Sequence, residues 1–71
     1  AKEMVAPLIL ALDDQSVEVR RAAVIGLGLI GPAAQSAISA IQTAGQDEDL
    51  RAIATAAIKQ IRQTDQAPAI P

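Results

Sequence analysis

The chain has 71 residues, six Lys and Arg against eight Asp and Glu, a net charge of −2, and no Cys, His, Phe, Tyr or Trp. This excludes disulfides, zinc and haem sites built on Cys or His, and Ser–His–Asp or Cys–His nucleophiles. It also argues against nucleic acid, which calls for clustered cations and aromatic platforms, and the length allows one thin, closely packed domain at most.

The first helix is predicted from about Val5 to Leu12, with Pro7 tolerated only in the first turn, where its missing N–H has no partner anyway. Met4 to Leu12 is the longest apolar run; it is too short to cross a bilayer and is followed at once by Asp13 and Asp14. Only Lys2 precedes it and no small-residue cleavage site follows, so it reads as a core helix rather than a signal peptide. The polar turn Asp13 to Ser16 ends in an N-cap, Ser16, with Glu18 at the positive end of a second helix from Val17 to about Ile30. Gly31-Pro32 closes that helix and opens a third, from Pro32 or Ala33 to Ala44, apolar at Ala34, Ala37, Ile38, Ile41 and Ala44. Gly45 stops it. Asp47 is the expected N-cap of a fourth helix reaching about Gln63, with Glu48 and Asp49 in its first turn and Lys59 and Arg62 towards its negative end. The tail, residues 64–71, has two prolines and no period and reads as a linker; the P-x-x-P spacing of Pro68 to Pro71 has no flanking basic residue.

Val19, Ala22, Ala23, Gly26, Leu27 and Ile30 map one for one, 31 positions on, to Leu50, Ile53, Ala54, Ala57, Ile58 and Ile61. Each set lines one side of a helix, and a fixed period of this size marks a repeat array whose units cover one another's apolar faces. The expected fold is all-α: four helices in two stacked antiparallel hairpins over 1–63, with repeat one at about 4–31 and repeat two at about 32–63.

Ala6-Pro7-Leu8, Leu12-Asp13-Asp14 and the run Val19-Arg20 to Gly31 together resemble the short HEAT-like repeat of phycobilisome lyase subunits and many scaffold proteins. Asp14 and Asp47 match its turn aspartate, Val19-Arg20 and Leu50-Arg51 its Val-Arg pair, and Leu27 to Gly31 its Leu-Gly-x-Ile-Gly ending. The second unit departs from it at Lys59 and Gln60, and lacks the Pro-Leu of the first helix. The resemblance implies a right-handed α-solenoid in which Asp14, Arg20, Asp47 and Arg51 link repeats, and a face of second helices that binds other proteins.

Gly26-Leu-Gly28-Leu-Ile-Gly31 also fits the G-x-G-x-x-G fingerprint of a dinucleotide site, with Asp47 about twenty residues on. That site needs a strand before the glycines and a second strand after them, whereas Ser16 to Arg21 reads as a capped helix start and Gln46 to Ala57 as helix. The acids of Asp13-Asp14 and Asp47-Glu48-Asp49 lack calcium-loop spacing and read as caps, and Ser36 and Ser39 have no histidine to activate them. No catalytic, cofactor or metal site is expected.

With the apolar stripe turned inward, the opposite side of the second helix carries Val17, Arg21, Val24, Ile25 and Gly28. The shift of 31 adds Glu48, Ala52, Thr55, Ala56 and Lys59 from the fourth. Arg21, Val24, Ile25, Gly28, Ala52, Thr55 and Lys59 are therefore the expected partner-binding face, apolar at Val24 and Ile25 where a solvated helix is polar. The fourth helix has a polar outer side suited to a terminal unit, while Met4 to Leu12 is apolar almost all round. The expectation is a non-catalytic interaction or scaffold module, the C-terminal part of a longer array or one that self-associates through Met4 to Leu12, with a protein partner and neither nucleic acid nor membrane. A tetrapyrrole-handling subunit like the bilin lyases is the alternative that the resemblance implies. With no targeting signal and no cysteine, the cytoplasm is the expected compartment.

Overall fold

The computed structural model describes residues 2–63. A 3-10 turn at Lys2–Met4 leads into α1 (Val5–Ala11); α2 (Val17–Ile30) follows, then a 3-10 segment at Gly31–Ala37, α3 (Ile38–Ala44) and α4 (Arg51–Arg62). There is no strand among the described residues, which removes the strand–turn–helix setting that the glycine fingerprint requires. The expected tail at 64–71 lies outside the described residues.

Local chemistry accounts for most of the boundaries. Pro7 falls in the first turn of α1. Ser16 sits in an extended conformation, φ −83° and ψ 125°, and its hydroxyl accepts the Val19 N–H at 3.3 Å, capping α2. Gly31 ends α2 at φ 78° and ψ −141°, a conformation open almost only to glycine, with its N–H donating to the Leu27 carbonyl.

Two boundaries differ from expectation. After Gly31 the chain runs as 3-10 helix to Ala37, with Ala34 at φ −95° and ψ 16°, so α3 starts at Ile38 rather than at Pro32 or Ala33. No loop separates α2 from the 3-10 segment and α3, although the chain turns at Gly31, so three helical stretches separated by two turns replace the four separate helices read from the sequence. The tighter 3-10 path suits Ala34 and Ala37, small residues packed to zero exposure where bulkier ones would hold the backbone away. By length and composition Val17–Ala44, which contains an 18-residue stretch with a mean hydropathy of 1.6, would cross a membrane, but Gly31 breaks it. The 14 residues of α2 reach only about 21 Å, short of a bilayer core.

The second difference is at α4, whose N-cap is Leu50 and not Asp47. Asp47 closes a turn upstream instead: its Oδ1 accepts the Asp49 N–H at 3.0 Å and its carbonyl accepts the Leu50 N–H at 2.9 Å. A short acid that finds a backbone N–H two residues on competes with helix formation, which is why Glu48 and Asp49 precede the helix.

The core is aliphatic, with Leu27, Ile41, Leu50, Ile61 and Val24 its largest fully buried side chains and no buried polar side chain among the described residues. On α4 the expected stripe is the buried one: Leu50, Ala54, Ala57 and Ile61 are buried and Ile53 and Ile58 half-buried. On α2 it is turned. Ala23 and Leu27 are buried, but Val19 and Ala22 are exposed, whereas Val24 and Gly28, expected on the outer face, are buried. The reason is position in the stack: α2 meets α1 on one flank, where Gly26 faces Leu8, and α4 on the other, where Gly28 faces Ala57. α4 has a different set of neighbours, packing against α2, α3 and the 3-10 segment, so one register shift cannot describe both helices.

Candidate partner-binding face

Along the seam where α2 and α4 lie together, Ile25, Leu29, Ile53, Ala56, Ala57 and Gln60 line a shallow groove of about 170 Å³. Ile25 is 45% exposed and Leu29 76%, the highest value of any large apolar residue described. Ala22, Ile25 and Leu29 on α2 correspond, 31 positions on, to Ile53, Ala56 and Gln60 on α4, so this outer face is repeated in the sequence like the core stripe.

The expected face is divided by the structure. Arg21, Ile25 and Ala52 are exposed, while Val24 and Gly28 are buried, Gly28 against Ala57 of α4, and offer nothing to a partner. Thr55 and Lys59 belong to a different, outward groove on α4 with Ile58, Arg62 and Gln63. Leu29 is absent from the expected face and Ile53 is expected on the buried stripe; the 22, 25, 29 spacing, one residue and hence about 100° round the helix from the expected face, is the signal for both.

The residues expected to link the units fall into two groups. Arg20 donates through Nη1 to the Asp14 carbonyl at 2.6 Å and the Gln15 carbonyl at 3.1 Å, and through Nη2 to Asp47 Oδ2 at 3.5 Å. One guanidinium thereby ties the turn of its own unit to the turn of the next. The two turns are alike: Asp14 Oδ1 accepts the Ser16 N–H at 2.9 Å, as Asp47 Oδ1 accepts that of Asp49. Arg51, which corresponds to Arg20, is exposed and has no ion pair among the described residues. No group of three or more acids able to hold a metal ion occurs among the described residues, and no buried side-chain polar atom is left without a hydrogen bond.

An all-helical chain with a 31-residue internal repeat, and with two like turns clipped by one arginine, is a helical-repeat protein. The profile described as HEAT repeats matches residues 5–71, and the chain belongs to that family. HEAT repeats generally mediate protein–protein interaction or scaffolding and are typically non-catalytic. No curated protein and no solved structure matches the chain.

Proposed function

We propose that this chain is a non-catalytic interaction module that binds a protein partner along the α2–α4 seam, with Ile25, Leu29, Ile53 and Ala56 as the apolar contact and Arg21 and Ala52 beside it. The observation that carries this is the exposure of Leu29 and Ile25 next to each other on the rim of a groove, where a solvated helix would carry polar side chains. Photo-crosslinking from position 29 in an extract of the native host tests it. A discrete adduct that disappears with Ile25→Lys supports the seam; equal adducts from positions 29 and 48 overturn it. A bilin-handling role predicts instead an absorbance shift on titration with a bilin, and none is expected.

We further infer that residues 4–31 and 32–63 are two hairpins of a right-handed solenoid, and that a like unit covers the α1 side. Met4 is 51% and Val19 39% exposed, while Ala37, 33 positions after Met4 as Asp47 is after Asp14, and Leu50, 31 after Val19, have zero exposure. Asp14 offers a second carboxylate oxygen at the place where Asp47 receives Arg20. On the opposite side Lys59 stands where the first unit has Gly28, the glycine packed on Ala57, which keeps a further helix from packing as closely as α4 packs on α2, and Arg62 stands where that unit has Gly31. This polarity fits the C-terminal part of a longer array, with self-association through Met4 to Leu12 as the other way to cover that side. Sedimentation separates the two: a concentration-dependent mass indicates self-association, and a monomer that binds an added upstream hairpin indicates the array.

A further inference from the structure

Half of the six Lys and Arg residues lie on α4, which carries no Asp or Glu from Arg51 to Arg62, in a chain whose net charge is −2. Arg51, Thr55, Ile58, Lys59 and Arg62 are spaced to share one side of that helix. Thr55, Ile58, Lys59, Arg62 and Gln63 line a shallow depression of about 450 Å³ there, and Arg51 lies one turn before Thr55. Among the described residues none of the three cations makes an ion pair, whereas Arg20, the counterpart of Arg51, reaches Asp47.

The first unit shows what such a surface takes. Of its corresponding residues, Gly28 lies against Ala57 of α4, Arg20 reaches the Asp47 carboxylate in the turn before α4, Val24 and Leu27 are buried, and the space beside Gly31 is open. On α4 the aliphatic position persists as half-buried Ile58 and the arginine as Arg51, but the glycines have become Lys59 and Arg62. The exchange does two things at once: it holds an incoming backbone farther away, and it raises the positive charge from one group to three. A matching segment must cross a wider gap with longer acidic side chains.

We propose that this outward face of α4 docks an acidic amphipathic segment of a protein partner, with an aliphatic residue over Ile58 and carboxylates at Arg51, Lys59 and Arg62. Charge complementarity of this kind speeds encounter and selects the partner, and it weakens as salt screens the exposed groups. The surface is separate from the α2–α4 seam, so the proposal stands independently of the function assigned to that seam.

The test is fluorescence anisotropy at low salt with the full chain and a labelled amphipathic peptide of Glu and Leu, beside the same peptide with Gln for Glu and an oligothymidylate of similar length. Binding of the Glu peptide is expected to fall about tenfold or more in the Gln peptide, with added salt, and in the triple variant Arg51→Glu, Lys59→Glu, Arg62→Glu. Ile25→Lys with Leu29→Lys is expected to leave it unchanged. Equal affinity for the Glu and Gln peptides, undiminished binding by the triple variant, or oligothymidylate bound as tightly as the Glu peptide overturns the proposal. Far-UV circular dichroism checks that the triple variant is folded, and the milder triple change to Gln replaces it if it is not.

Discussion

Gly28 of α2 and Ala57 of α4 meet so closely that a β-carbon on Gly28 would stand 3.0 Å from that of Ala57 and 3.1 Å from its Cα. Alanine is a better helix former than glycine by about 1 kcal/mol, yet here it would push against backbone that cannot turn aside. Gly28→Ala is therefore expected to destabilise by about 1 kcal/mol, and Gly28→Leu by about 3 kcal/mol through overpacking. Thermal melts followed by circular dichroism read the difference; an alanine variant that melts higher than the parent would mean that the two helices stand farther apart.

Val24 and Ile25 are sequence neighbours with opposite surroundings, at 0% and 45% exposure. A lysine at position 24 must be buried against α4 without a partner, and Val24→Lys is expected to cost several kcal/mol and unfold the chain. Ile25→Lys places its charge in water and is expected to change stability by no more than about 0.5 kcal/mol. Chemical denaturation of the two variants checks the rotation of α2 directly.

Arg20 serves three oxygens, but its ionic contact is partly open to solvent, with side-chain exposures of 23% for Arg20 and 40% for Asp47. Asp47→Asn is accordingly expected to cost less than about 1 kcal/mol. Arg20→Ala also leaves the Asp14 and Gln15 carbonyls without their donor and is expected to cost about 2 kcal/mol. Lysine cannot reach all three acceptors in one plane, so Arg20→Lys falls between them. Urea midpoints of the three variants give the order.

Gly31 is the only described residue with positive φ. Its φ and ψ lie close to the region reserved for glycine, so Gly31→Ala is expected to cost about 2 kcal/mol although open space surrounds the added methyl. The expected readout is a lower melting temperature without a new partner or a lost contact.

How much of the fold and of the binding face was legible in the sequence depended on the kind of signal. Ser16 and Gly31 could be read because each acts through its own backbone, and the α4 stripe because its apolar residues are few enough to define one side of the helix. The start of α4 could not, since Asp47 serves equally well as an N-cap and as the head of a turn, and the choice falls to tertiary packing around Leu50. The face of α2 was misplaced because its apolar residues outnumber one stripe: Val24 and Ile25 are alike in hydropathy and only the side on which α4 lies separates them. Gly45 reads as a helix stop, but at φ −71° it is an ordinary right-handed residue. Its small size matters because a β-carbon there would stand 2.9 Å from that of Ala54.

The wholly aliphatic interior also determines how this molecule meets its solvent. With no described titratable or hydrogen-bonding side chain in the core, neither moderate acidification nor added sodium chloride has an interior group on which to act. The agents that matter are those that alter the solvation of hydrocarbon: sulfate should raise the melting point and guanidinium lower it, while their effect on the exposed charges of the turns and of α4 is a separate, smaller matter. Cooling acts in the same way, and a core made of alanine, leucine, valine and isoleucine is one whose cohesion weakens towards the freezing point of water.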